Sequence, residues 1–339
     1  MMLVGQSATL VLDMSYTITR ETFDSLTSYW DDPKHRLEWN LVFVLPAWLK
    51  LWWQEFKPDA ELYLGAVRRQ GEIIGIAPLQ LKDDTASFIG SRDVCDYLDF
   101  VITPGAESDF FRVLLDDLNQ KGIKRLDLSC LRPESTVLTR LVDIARTRGY
   151  EVLCQPEAVS VELDLPPTFD EYLEMLDTKQ RHEVKRKLRR LLEAGKIDFQ
   201  ILEDGAAIHK GMDVFLKMFT ESRSDKAAFL TNQKESFFRS LADTMSGVNL
   251  LRMGVLELDT RPTAMILYFD FNGGAYLYNS GYDPDYTGLS VGLMSKVLCI
   301  QESIRQGKKK YDFLKGNEVY KYQLGGKEVT LSNCQITIK

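Results

Sequence analysis

Apolar and polar residues follow one another along the chain in a way that predicts the same series of elements twice. Residues 64–79 contain two apolar runs around a polar turn, and residues 253–269 repeat this pattern. Two strand-like runs joined by turn residues are typical of a β-hairpin. Because Gly65 and Gly254 take matching positions in the two patterns, we predict an internal repeat.

The elements predicted after each hairpin also correspond. Third strands are predicted at 97–102 and 275–281, and the helices that follow them at 110–120 and 290–306. Each helix ends near a glycine and precedes a short strand with an aspartate, Asp127 or Asp312. A repeat this long indicates a duplicated domain and not a solenoid. The sequence therefore predicts a mixed α/β (α+β) fold of two tandem domains, each a mostly antiparallel sheet flanked by helices.

The domain boundary is predicted where two consecutive prolines interrupt the chain. An extended run with alternating apolar residues occupies 159–165, and the prolines disfavour its continuation. Thr168 and Glu171 then have the spacing of a capping box, which marks the start of a helix. We therefore predict an N-terminal domain at 1–165, completed by the 159–165 strand, and a C-terminal domain at 166–339.

Composition and charge restrict the function further. The 339 residues are 45% hydrophobic with a net charge of -7, which excludes a disordered chain and argues against nucleic-acid or lipid binding over the whole surface. The five cysteines are widely spaced and are expected to be reduced core residues. The histidines lack partners at metal-ligand spacing, so we expect no bound metal. With no leader pattern and no apolar stretch of about 18 residues, we expect a soluble cytoplasmic protein.

The most informative segment leads from the third strand of the second half into its helix. Gly288 lies in the turn, Ser290 is the predicted N-cap, and Gly292 lies in the first helical turn. Exposed backbone N–H groups and small residues at a helix N-terminus favour the binding of phosphate. The first half has Glu107 and Asp109 at this place, and their charges would repel a phosphate. We therefore predict a pyrophosphate site in the second half.

Three segments, 278–283, 288–292 and 311–321, resemble the FemAB-like, CelD-like branch of the GNAT acyltransferase superfamily. Residues 77–79 and 96–99 of the first half are also typical of that branch. The resemblance implies two GNAT-like domains and an acyl-transfer reaction, with acetyl-CoA or another acyl-CoA bound in the second. The donor pyrophosphate would lie on the turn before the helix, and the thioester along the third strand. The implied donor-binding residues are Asn279, Ser280, Gly281, Thr287, Gly288, Leu289, Ser290, Val291 and Gly292.

The resemblance also suggests residues for the chemistry. Many GNAT enzymes carry a tyrosine acid after the strand that ends here at Leu314, so Tyr320 or Tyr322 is the candidate acid for the leaving thiolate. Asp312 is the candidate to orient the acceptor or to act as base, and Lys321 to bind an anion. Candidates to line an acceptor pocket between the domains are Asp96, Tyr97 and Asp99, which could equally form a solvated strand edge.

A basic helix is predicted at 179–193. Its apolar residues recur at helical spacing, so one face would dock on the protein while seven Lys and Arg side chains are displayed. Such a run is usually a solvated face, but it could also bind donor phosphates, a nucleotide-linked or tRNA-linked substrate, or an anionic membrane. Arg186 and Arg190 are the residues that we assign to substrate binding.

These observations lead to three hypotheses for function. The first is an N-acyltransferase that moves an acyl group from acetyl-CoA or another acyl-CoA to an amine of a sugar, an amino acid or a cell-envelope precursor. The second is a Fem-type transferase that uses aminoacyl-tRNA as donor. The third is a non-catalytic protein of polysaccharide assembly. The sequence leaves the acceptor, the acyl chain and the oligomeric state open.

Overall fold

The computed structural model describes residues 15–338, in which the strands join in one continuous sheet. The elements of the first half are β1 (Tyr16–Arg20), α1 (Phe23–Asp31), α2 (Pro46–Phe56), β2 (Glu61–Arg69), β3 (Glu72–Lys82), β4 (Thr85–Phe88), β5 (Val101–Ile102), α3 (Glu107–Gln120), β6 (Arg125–Leu131), α4 (Val142–Thr147) and β7 (Glu151–Asp164).

The second half repeats this series with three added helices, two before it (Phe169–Met175 and Thr178–Glu193) and one within it (Ser224–Phe229). Its elements are α5 (Phe169–Met175), α6 (Thr178–Glu193), β8 (Ile197–Leu202), α7 (Gly205–Ser222), α8 (Ser224–Phe229), α9 (Asn232–Gly247), β9 (Leu251–Leu258), β10 (Arg261–Phe271), β11 (Gly274–Tyr282), α10 (Val291–Arg305), β12 (Lys310–Lys315), α11 (Val319–Gln323) and β13 (Lys327–Thr337). Thr168 caps α5 by accepting a hydrogen bond from the Glu171 N–H, as the capping-box spacing predicts.

The predicted repeat and the mixed fold class are confirmed. The hairpins β2–β3 and β9–β10 are antiparallel, and each half then adds one parallel pair, β4 with β6 or β11 with β12. The other pairings are antiparallel, and the order along the sheet is β1-β2-β3-β4-β6-β13-β7-β12-β11-β10-β9-β8, with β5 beside β3. The prediction of a third strand at 97–102 in the first half is wrong, because the strand that pairs with β3 and β6, as β11 pairs with β10 and β12, is β4. Only Val101 and Ile102 of the predicted segment form a strand, β5, which pairs with β3.

The expectation that the 159–165 strand completes the first half is wrong. This strand is the end of β7, whose two neighbours are β12 and β13 of the second half. In return, β13 lies between β6 and β7, where the first half would otherwise lack a strand. The last strands of the two halves, β7 and β13, thus pair antiparallel at the centre of the sheet, from Lys327 opposite Glu162 to Thr337 opposite Glu151. Strand order along a sheet is set by long-range pairing, which hydrophobic periodicity does not encode.

The two apolar cores reflect the strand exchange, because one of them contains residues of both halves. One apolar cluster joins the first half to α7, α9 and the neighbouring side of the second-half sheet, and the other lies around α5, α6 and α10. Trp48 of α2 is fully buried, and its ring lies 5.8 Å from that of Phe269 and 5.7 Å from that of Tyr278. A helix of the first half therefore packs directly behind β11, the strand that the resemblance assigns to the donor.

The pairing of β7 with β13 also places Cys154 opposite Cys334, and the two form a disulfide. This contradicts the expectation that all five cysteines are reduced, because residues 180 positions apart meet only through the strand exchange. Cys95, Cys130 and Cys299 are free and buried.

Within residues 15–338, no helix is both long enough and apolar enough to cross a bilayer. Over the same range, no group of three or more His, Cys, Asp or Glu side chains is arranged to hold a metal ion.

The strand exchange predicts that neither half folds alone. A 1–165 fragment lacks the strand that lies between β6 and β7, and a 166–339 fragment lacks the strand between β12 and β13. Each fragment would expose unpaired strand edges, which favour aggregation. We expect the separate fragments to show no cooperative unfolding by circular dichroism, and the co-expressed fragments to elute together in size-exclusion chromatography. A sharp thermal transition of the 1–165 fragment alone would contradict this prediction.

Candidate active site

A cavity of 630 Å³ opens beside β11 and the start of α10. Its walls are β11, the α7–α8 region, the segment from the end of β12 into α11, and a loop of the first half. Charged side chains are frequent in these walls: Asp93, Asp96, Arg223, Asp225, Lys226, Lys296, Lys315, Glu318 and Lys321. Apolar contact comes from Phe219, Phe229, Leu277, Phe313 and Leu314.

The cavity lies where two parallel strands separate. β11 and β12 pair only from Gly274 to Tyr276 on β11, opposite Lys310 to Asp312 on β12. Beyond this point β12 turns away, with Leu314 at a φ of 59° and Gly316 at 115°. The later residues of β11, from Leu277 to Ser280, therefore face open space on one side, as a thioester between the strands would require.

The predicted pyrophosphate site (the cradle, residues 287–292) lies at one end of the cavity. Residues 284–289 form a 3₁₀ helix, and Ser290 follows in the left-handed region at a φ of 59°. Ser290 holds the N-cap position of α10, but its side chain makes no capping hydrogen bond. The Leu293 N–H donates to the Ser290 carbonyl oxygen at 2.9 Å, so the first-turn N–H groups that remain available to an anion are those of Val291 and Gly292.

The nine predicted donor residues are not equivalent in the structure. Asn279, Ser280, Thr287, Ser290, Val291 and Gly292 line the cavity. Gly288 is exposed in the turn, with no atom within 4 Å of where a Cβ would lie, and Leu289 packs against the core of the second half. Gly281 is buried, and a Cβ there would lie 2.4 Å from the backbone nitrogen of Phe219. The absence of a side chain at Gly281 therefore allows α7 to approach β11 closely.

Two lysines converge on Ser280. The Lys296 ammonium donates to the Ser280 Oγ at 3.0 Å and to the Gly292 carbonyl oxygen at 2.8 Å, and its side chain is buried. Lys226 of α8 donates to the Ser280 carbonyl oxygen. Burial, with the nearby Lys226 charge, lowers the pKa of Lys296 to about 7, and burial lowers the pKa of Lys226 to about 8.

Asp312 lies below the point where the strands separate and does not line the cavity. Its carboxylate accepts hydrogen bonds from the Tyr97 hydroxyl at 2.8 Å and from the Leu314 N–H at 2.8 Å, and Arg132 lies 3.8 Å away. Burial raises the pKa of Asp312 to about 7. Asp312 and Tyr97 thus meet each other, and they join the two halves rather than face the cavity.

The two candidate tyrosines of α11 differ in their position relative to the cavity. Tyr320 lines the cavity, and its ring centre lies 5.0 Å from the Lys296 Nζ. Burial raises the pKa of Tyr320 well above that of free tyrosine. Tyr322 does not line the cavity, and its hydroxyl donates to Glu328 of β13. That hydrogen bond raises the pKa of Tyr322 to about 12.

Lys321 is at the cavity wall but is fully engaged. Its ammonium donates to the carbonyl oxygens of Leu314, Lys315 and Gly316 at 3.0, 2.8 and 3.1 Å. The Glu318 carboxylate lies 3.0 Å from the same nitrogen. These contacts fix the turn after β12, so Lys321 has no free donor for the anion that the sequence assigned to it.

The first half contributes one wall of the cavity. Asp96 lines it, and Lys315 lies 3.6 Å from its carboxylate. Asp99 instead accepts hydrogen bonds from the Thr136 N–H and hydroxyl at 2.7 and 2.6 Å, and it lies at a separate small hollow. Of the three predicted acceptor residues, only Asp96 reaches the cavity.

The segment that carries Asp96 also fills the gap between β4 and β6, which corresponds in the first half to the gap between β11 and β12. From Phe88 to Glu107 the chain is five residues longer than from Leu277 to Val291, the matching part of the second half. The longer segment buries Cys95, Tyr97 and Leu98 beside β6, and the Leu98 N–H donates to the Cys130 carbonyl oxygen at 3.1 Å.

The basic helix forms as predicted and is α6. Val184 and Leu191 are buried, whereas Leu192 is 59% exposed and does not belong to the docked face. Arg186 and Arg190 are exposed, and Arg186 pairs with Glu183 at 2.9 Å. Neither arginine lines the cavity, but α6 packs against the 284–289 turn beside the cradle.

Comparison with known proteins agrees with this geometry. Residues 178–322 match the family model described as "Acetyltransferase (GNAT) domain". The fold of the described part of the chain is shared with FemX. The FemX structure has 10% sequence identity and a TM-score of 0.66, and the match covers 94% of this chain and 96% of that one.

Two further solved structures share the fold. A conserved protein from Bacteroides thetaiotaomicron VPI-5482 has 9% identity and a TM-score of 0.60, over 95% of this chain and 100% of its own. The C-terminal domain of a putative lysylphosphatidylglycerol synthetase from Agrobacterium fabrum has 11% identity and a TM-score of 0.53, over 82% and 83%. Curated proteins give no significant match to the sequence.

Sequence reasoning missed the lysines that converge on Ser280. Lys296 was detectable, because it interrupts the apolar run of α10 at a position that faces the sheet between Met294 and Val297. Lys226 carried no such signal, because it reaches the cavity from a short helix far from the recognised motifs.

Substitution of Gly281 by Ala should destabilise the protein. The new methyl group would meet the Phe219 nitrogen at 2.4 Å and the Met218 carbonyl carbon at 2.6 Å, so α7 must move. Overpacking of this kind costs about 1–3 kcal/mol. Urea unfolding measures the loss. Gly288→Ala is the matched control, since it adds the same methyl group in open space, and equal stability of the two variants would contradict the prediction.

Substitution of Asp312 by Asn should change how stability depends on pH. The folded-state pKa of Asp312 is raised from 3.8 to about 7, so the folded protein holds a proton that the unfolded chain releases. The free energy of unfolding therefore falls, through this residue, as pH rises between these values. Urea unfolding at pH 5 and pH 8 should show the wild type losing about 1–3 kcal/mol relative to Asp312→Asn. Parallel pH profiles would refute the assignment.

Proposed function

We propose that the protein is an N-acyltransferase that binds acyl-CoA between β11 and β12 and transfers the acyl group to an amine in the adjoining cavity. The observation that carries the proposal is the separation of these strands beyond Tyr276, next to an uncapped helix N-terminus. Backbone amides of the first turn of α10 would bind the pyrophosphate. The free edge of β11 would bind the pantetheine and present the thioester near Ser280.

The residues around the gap supply what the transfer needs. A thioester carbonyl near Ser280 would receive hydrogen bonds from nearby N–H groups as negative charge develops on its oxygen. Tyr320 is the proposed acid for the leaving thiolate, since it lines the cavity and its hydroxyl is protonated at neutral pH. Tyr322 is not retained for this role, because its hydroxyl is bonded to Glu328 away from the cavity.

The first half is proposed to shape the acceptor side and not to bind a donor. Its own gap is filled by Cys95, Tyr97 and Leu98, and the same loop sends Asp96 into the cavity of the second half. A carboxylate at the wall of an acyl-transfer site suits an acceptor that carries an amine. Amino sugars, amino acids and amine-bearing envelope precursors share that group.

The basic face of α6 favours a second candidate, a Fem-type transferase that uses aminoacyl-tRNA. α6 lies against the turn of the cradle, and its exposed arginines could bind nucleic-acid phosphates. The same charges would also suit the phosphates of coenzyme A.

Isothermal titration with acetyl-CoA tests the first proposal. We expect binding, and we expect Gly288→Glu to weaken it by about tenfold through repulsion of the pyrophosphate. Gly288→Gln is the control, because it adds a side chain of the same shape without the charge, at a site with open space. It should bind nearly as well as the wild type.

Absence of acetyl-CoA binding at millimolar concentration would overturn the acyl-CoA proposal. Filter binding of aminoacyl-tRNA, with affinity that falls steeply as salt rises, would then favour the Fem-type alternative.

A further inference from the structure

Lys296 differs from the other charged groups of the cavity in its contacts. It is 6% exposed, and its nitrogen donates to two neutral oxygens, the Ser280 hydroxyl and the Gly292 carbonyl. A neutral amine has two N–H groups and one lone pair, whereas an ammonium has three N–H groups. The two oxygens satisfy a neutral amine. Among residues 15–338 no oxygen occupies the third position, which faces the cavity that Lys296 lines.

The carboxylates of the cavity are all engaged with other cations. The pairs are Asp93 with Lys234 at 3.0 Å, Asp96 with Lys315 at 3.6 Å, Asp225 with Arg223 at 2.8 Å, and Glu318 with Lys321 at 3.0 Å. This leaves Lys296 and Lys226 as the cavity lysines without a carboxylate partner in the part of the chain that is described. A buried ammonium without an opposite charge is costly and tends to lose its proton.

The groups that face Lys296 come from three elements. They are the Lys226 ammonium of α8, the Glu318 carboxylate, Tyr320 and the Lys321 ammonium around α11, and the buried Cys299 thiol of α10 itself. Lys226 and Lys321 lower the pKa of Lys296, while Glu318 and Cys299 raise it by less than burial lowers it. The pKa of about 7 that results lies in the range in which a general base is most effective near neutral pH.

We propose that Lys296 is the general base of the transfer, which removes a proton from the attacking amine. The proposal rests on the function proposed above, because it needs an acyl thioester beside Ser280. The amine nitrogen forms a bond to the acyl carbon as one of its protons passes to the Lys296 nitrogen. The bond between the acyl carbon and sulfur breaks, and sulfur leaves with the electron pair.

The proton balance closes within the cavity. The departing thiolate needs one proton, and the Lys296 ammonium holds the one that the amine lost. Tyr320, whose ring centre lies 5.0 Å from the Lys296 nitrogen, would give its hydroxyl proton to sulfur, and the proton held by Lys296 would then restore the hydroxyl. No oxidant, metal or further reactant enters these steps.

The first test measures the titration of Lys296 without donor or acceptor. The intact protein is labelled with limiting acetic anhydride between pH 5 and pH 11, and each lysine is quantified by peptide mass spectrometry. We expect Lys296 to titrate near pH 7, well below the pKa of about 10.4 of a free lysine side chain. In Lys226→Met the Lys296 titration should move to higher pH, because a neighbouring positive charge is removed, whereas Lys210→Met should leave it unchanged. Titration of Lys296 together with the exposed lysines would overturn the proposal.

The second test measures catalysis. Consumption of acetyl-CoA is followed with a mixture of glucosamine, lysine and ethanolamine as probe amines, and also with water alone as acceptor. Lys296→Met should bind acetyl-CoA by titration calorimetry and lose about 100-fold or more in rate, because a general base contributes that much. Lys296→Arg, which keeps the positive charge but cannot act as a base near neutral pH, should lose as much.

The wild-type rate should fall below about pH 7, and the Lys226→Met variant should lose activity at a higher pH than the wild type. Retention of the wild-type rate by Lys296→Met or by Lys296→Arg would overturn the proposal, since a structural or charge-binding role would then suffice. Acetyl-CoA that is bound but neither transferred nor hydrolysed by the wild type would overturn it as well. Failure of acetyl-CoA to bind at all identifies failure of the proposed function instead, and the titration of Lys296 would still decide whether it is a free base.

Discussion

The antiparallel pairing of β7 with β13 is the constraint on which the rest of the structure depends. Each strand ends one half of the chain but completes the sheet of the other, so the two halves cannot move apart without breaking a sheet at its centre. Polar contacts between the halves add to this, since Lys310 of β12 pairs with Glu162 of β7 and the Tyr97 hydroxyl donates to Asp312 at 2.8 Å. A loop of the first half is thereby held as a fixed wall of the cavity in the second.

The repeat explains why only one half has an open gap. Both halves contain a residue with positive φ at the end of the strand beside the gap, Cys130 at 59° and Leu314 at 59°. In both halves the strand beside the gap therefore turns through a left-handed residue, although Cys130 and Leu314 are not at equivalent positions. The five added residues before α3 fill the gap of the first half with buried side chains, and they also carry Asp96 across to the other half. One local change both closes one site and adds a wall to the other.

The sequence predicted what depends on neighbouring residues. The two hairpins, the basic helix and the turn at 287–292 lie where periodicity and turn chemistry placed them, because each is determined within about 20 residues. The strand exchange, the Cys154–Cys334 disulfide and the contact between Tyr97 and Asp312 could not be predicted, since their partners are 146 or more residues apart. Part of the 311–321 motif lines the cavity, but which of its side chains do so is set by the turn at Leu314 and Gly316, whose dihedral angles no sequence pattern indicates.

The two buried lysines of the site show how the same side chain can have opposite tasks. Lys321 is surrounded by three carbonyl oxygens and the Glu318 carboxylate, so its positive charge is matched and its donors are used to hold the turn after β12. Lys296 is equally buried but has two neutral oxygens and a like charge nearby. Desolvation therefore favours the loss of a proton from Lys296. Burial alone does not assign a role to a lysine, and the number and charge of its oxygen partners do.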